Sequence, residues 1–158
     1  MSHRTSVPMR VRFSETDAMG VANNGAYLAW FEVGRIEFLR EIGHSYADVH
    51  SGGMDMVVVE AHISYLRPLT FDTTFTIECE CVGIRGATFT FGYELRDAEG
   101  VCTRGETRHA CVDRARMRAV RVPEWLVQAV RETDRYEPVS QLRPPSSERS
   151  SRPPDVDA

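Results

Sequence analysis

Residues 11–42 read VRFSETDAMGVANNGAYLAWFEVGRIEFLREI, and this stretch decides the fold of the chain. A short strand predicted at Val7–Phe13 leads into a loop that carries two carboxylates, Glu15 and Asp17. A helix predicted from about Asn24 to Ile42 follows, and it is apolar on nearly every side, which is typical of a buried helix. It would be roughly 28 Å long at 1.5 Å per residue. The sequence therefore predicts a central helix that the other elements surround.

The ends of this helix carry recognisable signals. Asn23 or Asn24 suits the N-cap, because a short side-chain oxygen accepts a hydrogen bond from a free first-turn N–H. Gly34 would let a strand approach the helix closely, and Gly43 stands where a left-handed C-terminal cap is expected. The free N–H groups give the helix start a partial positive charge. A positive pole beside a carboxylate loop is suited to acyl transfer.

Length and composition predict one ordinary globular domain. The chain has 158 residues, of which 42% are hydrophobic and 27% charged, with a net charge of −4. Acidic and basic residues are interleaved, so no basic stripe predicts nucleic-acid binding. The first residues lack the apolar core of a signal peptide, and no apolar run is long enough to span a bilayer. We therefore expect a cytoplasmic protein without a membrane span.

The four cysteines, Cys79, Cys81, Cys102 and Cys111, do not have the spacing of a metal site. Cys79 and Cys81 lie two apart in a strand-like run and therefore share one face. We interpret all four as buried, reduced thiols that act as small hydrophobic side chains. The alternative, a catalytic cysteine, would need a histidine beside it. No metal ligand set is predicted.

Alternating apolar residues predict four further strands, at Met54–Leu66, Thr73–Val82, Ala87–Arg96 and Val101–Val112. In the first of these, alternation places Val57 and Val59 on the same face as Ala61, Ile63 and Tyr65. Segment 45–53 is interpreted as a connection, Arg85-Gly86 as a turn, and residues 97–100 as a hairpin turn. A short extended piece at Met117–Val122 precedes a helix at Glu124–Glu132, which Pro123 introduces.

These elements predict an α+β fold in which a single antiparallel sheet of five to six strands, joined largely as a meander, curls around one long helix. The domain covers residues 1–136. Residues 137–158 are rich in Pro, Ser and Arg and are expected to be a disordered tail. An outer strand of such a sheet would have an unpaired edge, and homodimerisation is a common way to cover one.

The pattern F-S-E-T-D-A-M-G-V-x-x-x-x-x-Y-L-x-W-x-E-x-x-R at Phe13–Arg35 resembles the hotdog-fold acyl-CoA thioesterases. It is most similar to the 4-hydroxybenzoyl-CoA thioesterase group and to related bacterial thioesterases encoded near the Tol–Pal system. The resemblance continues at Val58–Asp72, Gly105–Asp113 and Pro123–Leu126, and covers about residues 7–132. It implies a hotdog fold, a homodimer or dimer of dimers, and hydrolysis of an acyl-CoA or acyl-carrier-protein thioester. No metal or cofactor is implied, because coenzyme A is part of the substrate.

The resemblance also implies roles for particular residues. Asp17 matches the catalytic carboxylate, and Gly20 permits the tight loop. The backbone N–H at Asn24, with Gly25 beside it, would polarise the thioester carbonyl. Substrate-binding positions follow at the start of the second strand, which the partner subunit would supply (Met54, Met56 and Val57), and at Arg85 in the turn after the third strand. Apart from the resemblance, Arg67 is also a candidate for coenzyme A phosphates, because arginine suits phosphate groups. Either arginine could equally be a solvated surface charge.

Several alternatives stay open. Asp17 could be an ordinary turn residue, and Glu15 is expected to be solvated. Glu32 and Arg35 are expected to form a structural ion pair on the helix. Many relatives carry histidine where this chain has Asn24, so here Asp17 would attack the thioester directly or deprotonate a water. A non-catalytic acyl-CoA-binding module and a 3-hydroxyacyl-thioester dehydratase are the competing functions.

Overall fold

The computed structural model describes residues 3–131 and contains one sheet, one long helix and two short helices. In chain order the elements are β1 (Arg4–Arg10), a 3-10 turn (Phe13–Glu15), α1 (Asn24–Glu41), α2 (Tyr46–Ser51), β2 (Met54–Tyr65), β3 (Thr74–Arg85), β4 (Thr88–Asp97), β5 (Gly100–Asp113), β6 (Arg118–Ala119) and α3 (Glu124–Arg131). The predicted α+β class is confirmed. The predicted tail and the final residue of the predicted last helix, Glu132, lie outside the described residues.

The sheet is antiparallel throughout, with the strand order β1-β3-β4-β5-β2 and with β6 paired to the end of β5. Strands β3, β4 and β5 form the predicted meander, but β2 crosses the sheet to pair with β5, which the sequence pattern did not indicate. The first strand begins and ends three residues earlier than predicted. It pairs with β3 only as far as Arg10, and the chain then turns at Phe13–Glu15, where the Glu15 carboxylate accepts the N–H of Arg12.

Helix α1 packs one side against the concave face of the sheet. Its buried aromatic side chains include Trp30, Phe31 and Phe38, of which none is more than 1% exposed. Gly34 has the predicted role, because a Cβ there would lie 3.1 Å from Ile77 Cγ2 and 3.2 Å from Cys79 Cβ. The opposite side of α1 is open on the single chain, and Leu28, Ala29 and Glu32 are among its exposed residues. The prediction of a helix enclosed on all sides is therefore wrong for one chain.

Strand β2 contains a bulge that breaks the predicted alternation. Its register against β5 shifts between Val58 and Glu60, so Val59 is an extra residue without a partner position. Val58 pairs opposite the buried His109, and after the bulge Ile63 packs against the core. Even-numbered residues before Val59 and odd-numbered residues after it therefore point to the same face of the sheet. The outer edge of β2 is the unpaired edge that the fold predicted, and Val57, Val58 and Val59 are between 42% and 49% exposed.

The connecting segments follow the turn signals with one exception. Segment 45–53, predicted as a connection without structure, contains α2, which Ser45 caps by accepting the N–H of Asp48. Gly43 ends α1 with φ +85, and the tight loop turns at Gly20 with φ +76. No helix in residues 3–131 combines the length and the hydropathy that crossing a membrane requires.

All four cysteines are buried and none forms a disulfide, as predicted. Cys79 and Cys81 share the inner face of β3. Burial raises the pKa of the Cys81 thiol to about 12 and that of Cys111 to about 11. Burial also raises the pKa of Cys79 and of Cys102. These thiols stay protonated at neutral pH and behave as core side chains.

Candidate active site

The loop before α1 holds Asp17 at the start of a tight turn. The N–H of Asp17 donates to the carbonyl of Val21 (3.0 Å), and the N–H of Gly20 donates back to the carbonyl of Asp17 (2.9 Å). Asp17 Oδ1 accepts the N–H of Met19 at 2.8 Å, which fixes one carboxylate oxygen. The other oxygen has no partner in the part of the chain that the structure describes. Asp17 is exposed on the single chain, so this oxygen is available to a ligand.

Glu15 is a structural clamp rather than a solvated acid, which corrects the sequence expectation. Its side chain is 13% exposed. Oε1 accepts the indole N–H of Trp30 (3.1 Å), and Oε2 accepts the backbone N–H of Arg12 (2.8 Å). Its backbone carbonyl accepts both the N–H and the side-chain amide of Asn23. Glu15 therefore ties the carboxylate loop to the first turns of α1.

The start of α1 presents unoccupied N–H groups. Asn23, one of the two predicted caps, is the N-cap, and its Oδ1 accepts the N–H of Ala26 at 3.0 Å. The N–H groups of Asn24 and Gly25 have no acceptor within residues 3–131, and both residues are exposed. Ala22, just before the cap, donates to the carbonyl of Leu69 and anchors this end of the helix on the sheet. Two adjacent, fixed N–H donors at a helix start form a site for an oxyanion.

The single chain divides the predicted site residues between its two ends. Asp17, Gly20, Asn24 and Gly25 lie at the start of α1, where Tyr27 contacts Tyr65 at the end of β2. Met54, Met56, Val57 and Arg85 lie at the other end of the sheet. The β2 start pairs with the end of β5, and Met56 lines a cavity with Leu39 near the end of α1. Half the length of α1 or more separates the two groups, which is well over 10 Å.

Arg67 lies at the same end as Asp17, but its guanidinium is already occupied. It forms a two-pronged contact with the Asp97 carboxylate, including Nη2 to Oδ1 at 2.7 Å, and a further ion pair with Glu99 at 2.9 Å. The hydrogen bond from Arg67 lowers the pKa of Asp97. This pairing holds the β4–β5 turn against the chain that follows β2, so the structure favours a structural role for Arg67. Arg85, by contrast, is exposed and has no ion pair in the described part of the chain.

A cavity of about 270 Å³ opens between the exposed side of α1 and strands β2, β4 and β5. The sequence patterns did not predict this cavity. Its walls are mostly apolar and aromatic, with four polar side chains among them; it is lined by Glu32, Arg35, Ile36, Leu39, Tyr46, Met56, Val58, Phe89, Phe91 and His109. His109 is 2% exposed and stacks on Phe89, with ring centroids 5.1 Å apart.

A chain of buried hydrogen bonds runs under this cavity. Arg35 Nη1 donates to the Tyr93 hydroxyl (3.1 Å), which lies 2.6 Å from Thr107 Oγ1, and that oxygen lies 2.7 Å from His109 Nε2. Burial, and secondarily the charge of Arg35, lowers the pKa of His109 to about 3, so the ring is neutral at pH 7. The predicted Glu32–Arg35 ion pair does not form. The sequence signal was available, since Tyr93, Thr107 and His109 are polar residues at core positions of alternating strands.

Comparison with known proteins identifies the family of this chain. The sequence model of a family described as the thioesterase-like superfamily matches residues 11–130. The chain is 30% identical over 120 residues to an acyl-CoA thioesterase, YbgC, from Haemophilus influenzae, covering 75% of this chain and 88% of that protein. It is 29% identical over 121 residues to the acyl-CoA thioester hydrolase YbgC of Escherichia coli, covering 76% and 90%.

Solved structures give the same result. A hypothetical protein from Aquifex aeolicus superposes with a TM-score of 0.75 at 29% identity, covering 79% of this chain and 98% of that one. A DHNA-CoA thioesterase from Staphylococcus aureus superposes with a TM-score of 0.74 at 25% identity, covering 82% and 93%. The hotdog fold and the family that the motifs indicated are therefore confirmed.

Proposed function

Because this chain belongs to the thioesterase-like superfamily, we propose that it hydrolyses acyl-CoA thioesters to the free acid and coenzyme A, with Asp17 as the catalytic carboxylate. The single observation that supports this assignment is the arrangement at the start of α1. There a loop carboxylate with one unengaged oxygen and two free backbone N–H groups lie at the same end of one helix.

In the proposed reaction, the thioester carbonyl accepts the N–H groups of Asn24 and Gly25. These donors stabilise the negative charge that develops on oxygen as the carbonyl carbon becomes tetrahedral. Asp17 either attacks that carbon, giving a mixed anhydride that water then opens, or removes a proton from the water that attacks. The C–S bond breaks in both routes, and the coenzyme A thiolate leaves. Neither route uses a metal or a cofactor.

The proposal includes a homodimer, because the residues of the site lie at two ends of one chain. The free edge of β2 can pair with the same edge of a second copy about a two-fold axis. Antiparallel pairing would place the start of β2 in one copy beside the end of β2 in the other. Met54, Met56, Val57 and Arg85 of the second copy would then approach Asp17. A dimer of dimers, a carrier-protein substrate and a cytoplasmic location stay predictions.

The first test is hydrolysis of a panel of aromatic, short and long acyl-CoAs by the wild-type protein and by Asp17→Asn. Loss of the carboxylate should lower kcat by about 10²-fold or more. Asp72→Asn is the matched control, because Asp72, like Asp17, is an exposed loop carboxylate. Asp72 has a positive φ, a backbone conformation that Asn tolerates well. Full activity in Asp17→Asn would refute the assignment. Tight acyl-CoA binding by the wild type with no turnover would instead favour a non-catalytic binding module.

The second test separates the two routes. A single turnover in water labelled with oxygen-18 transfers the label to Asp17 only if the carboxylate is the nucleophile. If water attacks the thioester directly, or opens the mixed anhydride at its acyl carbon, the label appears in the acid product alone, so label on Asp17 is the result that identifies the nucleophilic route.

A further inference from the structure

The cavity beside α1 has hydrogen-bond donors among the residues that line it. Arg35 contributes a guanidinium with five N–H groups, of which the described residues accept one, at the Tyr93 hydroxyl. No carboxylate in the described part of the chain lies within 4 Å of Arg35, although its side chain is partly buried. A partly buried cation without an anion is costly, because it has lost water without gaining a partner.

The hydrogen-bond chain also determines which ring nitrogen of His109 carries the proton. Arginine can only donate, so the Tyr93 oxygen accepts from Arg35. The Tyr93 proton then goes to Thr107, its one other neighbour in the chain, because a buried hydroxyl proton without an acceptor is unfavourable. Thr107 in turn donates to Nε2 of the neutral His109 ring. The ring proton must therefore be on Nδ1, which makes that nitrogen a donor.

Nδ1 of His109 is the unpaired nitrogen of a ring that lines the cavity. No described residue bonds to it, and every fully buried side-chain nitrogen or oxygen in residues 3–131 has a partner. Nδ1 consequently keeps some accessible surface, and His109 lines the cavity. Two residues that line the cavity, one of them cationic, therefore have hydrogen-bond donors that no described residue uses. Glu32 is the one carboxylate among the residues that line the cavity, and it is exposed on the single chain.

The size of the cavity limits what fits. An apolar cavity of about 150 Å³ holds benzene, so this one, at about 270 Å³, can hold a group of roughly ten non-hydrogen atoms. Leu39, Met56, Val58 and Phe89 supply an apolar wall around such a group. The occupant that satisfies every feature has a short hydrocarbon body and an anionic acceptor at its far end.

We propose that this cavity is the acyl pocket of the enzyme and that it selects thioesters of short dicarboxylic acids, whose distal carboxylate binds between Arg35 and His109. This inference rests on the proposed function and on its two-fold pair, in which the cavity of one copy lies near the Asp17 loop of the other. The hydrocarbon segment of the acyl group lies against the apolar wall. The thioester end points out of the cavity towards the helix start of the second copy.

The test compares adipoyl-CoA with hexanoyl-CoA, which has the same chain length, and with monomethyl-adipoyl-CoA, which keeps the distal acceptor but lacks its charge. Wild-type kcat/KM should be at least tenfold higher for adipoyl-CoA than for either of the others. Arg35→Met should lower kcat/KM for adipoyl-CoA about 30-fold or more, as expected when one partner of a desolvated ion pair is removed. The same variant should keep kcat/KM for hexanoyl-CoA within threefold of the wild-type value.

Arg40→Met is the matched control, because Arg40 is an exposed arginine of the same helix that pairs with Glu37. Arg40→Met should leave kcat/KM unchanged for both adipoyl-CoA and hexanoyl-CoA. The inference is overturned if the wild type does not prefer adipoyl-CoA, if the methyl ester is cleaved as well as the acid, or if Arg35→Met affects both substrates equally. The wild-type comparison decides the matter even if Arg35→Met does not fold.

Failure of the proposed function would have a different signature. If no acyl-CoA is cleaved, calorimetric titration of the wild-type protein with the same three compounds still tests the pocket. Tighter binding of adipoyl-CoA by tenfold or more then supports the inference, and equal binding overturns it.

Discussion

Replacing Glu15 with Gln should weaken the connection between the Asp17 loop and the first turns of α1. The Glu15 carboxylate accepts two N–H groups, from Trp30 and from Arg12, and its side chain is 13% exposed. An amide keeps one acceptor oxygen and turns an NH₂ group towards the second donor, so one N–H is left without a partner. A hydrogen bond to a charged group contributes about 1.5–3 kcal/mol, and we therefore expect Glu15→Gln to cost about 2 kcal/mol of unfolding free energy.

For a folded domain of this size, a loss of about 2 kcal/mol lowers Tm by roughly 6–10 °C. The catalytic effect should be larger than the stability effect suggests. Misplacing reacting groups by about 1 Å can cost on the order of 10²-fold in rate. The substitution weakens the side-chain contacts of Glu15 with Trp30 and with Arg12, and leaves the bonds from Asn23 to the Glu15 backbone carbonyl in place. We expect kcat for the best acyl-CoA to fall about tenfold or more, with KM changed less than threefold.

The assay is steady-state hydrolysis at a temperature at least 20 °C below the Tm of each variant, combined with thermal unfolding. Glu78→Gln is the matched control, since Glu78 is a partly buried glutamate on β3 that pairs with Arg4 and Arg96 away from the loop. It should lower Tm and leave kcat unchanged. If Glu15→Gln keeps kcat within twofold of wild type, or if both variants lose kcat in proportion to Tm, Glu15 has no positioning role.

Three further predictions concern packing, assembly and pH. Gly105→Ala should destabilise the fold by about 1–3 kcal/mol in denaturant unfolding, because its Cβ would lie 2.3 Å from Phe31 Cζ; an unchanged midpoint would contradict this packing. Lysines at both Val57 and Val59 should block edge pairing of β2 and give monomers in sedimentation velocity, with hydrolysis lost in parallel; active monomers would refute the two-chain site. His109 has a lowered folded-state pKa of about 3, so below the unfolded pKa of about 6.5 the unfolded chain binds a proton that the folded chain does not. Stability should therefore fall with decreasing pH by about 1.4 kcal/mol per unit between roughly pH 6 and 4, and His109→Asn should remove that slope in urea unfolding; an equal slope in both proteins would contradict a buried neutral ring.

Local signals predicted the elements that local physics controls. Residues 24–41 form the expected helix, with Asn23 as its cap and Gly43 at its end, because capping depends on side chains within a few positions. The buried faces of β3 and β4 follow the alternation of Phe75, Ile77, Phe89 and Phe91. An alternating pattern indicates which face of a strand is buried, and for β3 and β4 it indicated the correct face.

The same patterns do not state which strand is the neighbour or where a bulge lies. Strand β2 joins β5 instead of β3, and Val59 shifts its register, since both depend on pairing energies between distant segments. The separation of Glu32 from Arg35 has a similar origin. Their spacing on α1 would allow an ion pair. Arg35 instead donates a hydrogen bond to the Tyr93 hydroxyl, 58 positions away in sequence. The expectation of a solvated Glu15 was wrong for the same reason, since its side-chain partner Trp30 is 15 positions further along the chain.

The exposed surface of the chain links assembly to chemistry. Val57, Val58 and Val59 on β2 and Leu28 on α1 are each more than 40% exposed, and Val58 lines the cavity that α1 leaves open. An apolar surface of this kind normally marks an interface. Asp17 and the free N–H groups of Asn24 and Gly25 are exposed on the same chain, where water would weaken their effect on a thioester. A second copy on the β2 edge would cover the apolar residues and exclude water from the carboxylate together. The dissociation constant of the dimer and the concentration at which specific activity is half-maximal should therefore coincide, and a specific activity independent of protein concentration across that dissociation would rule this coupling out.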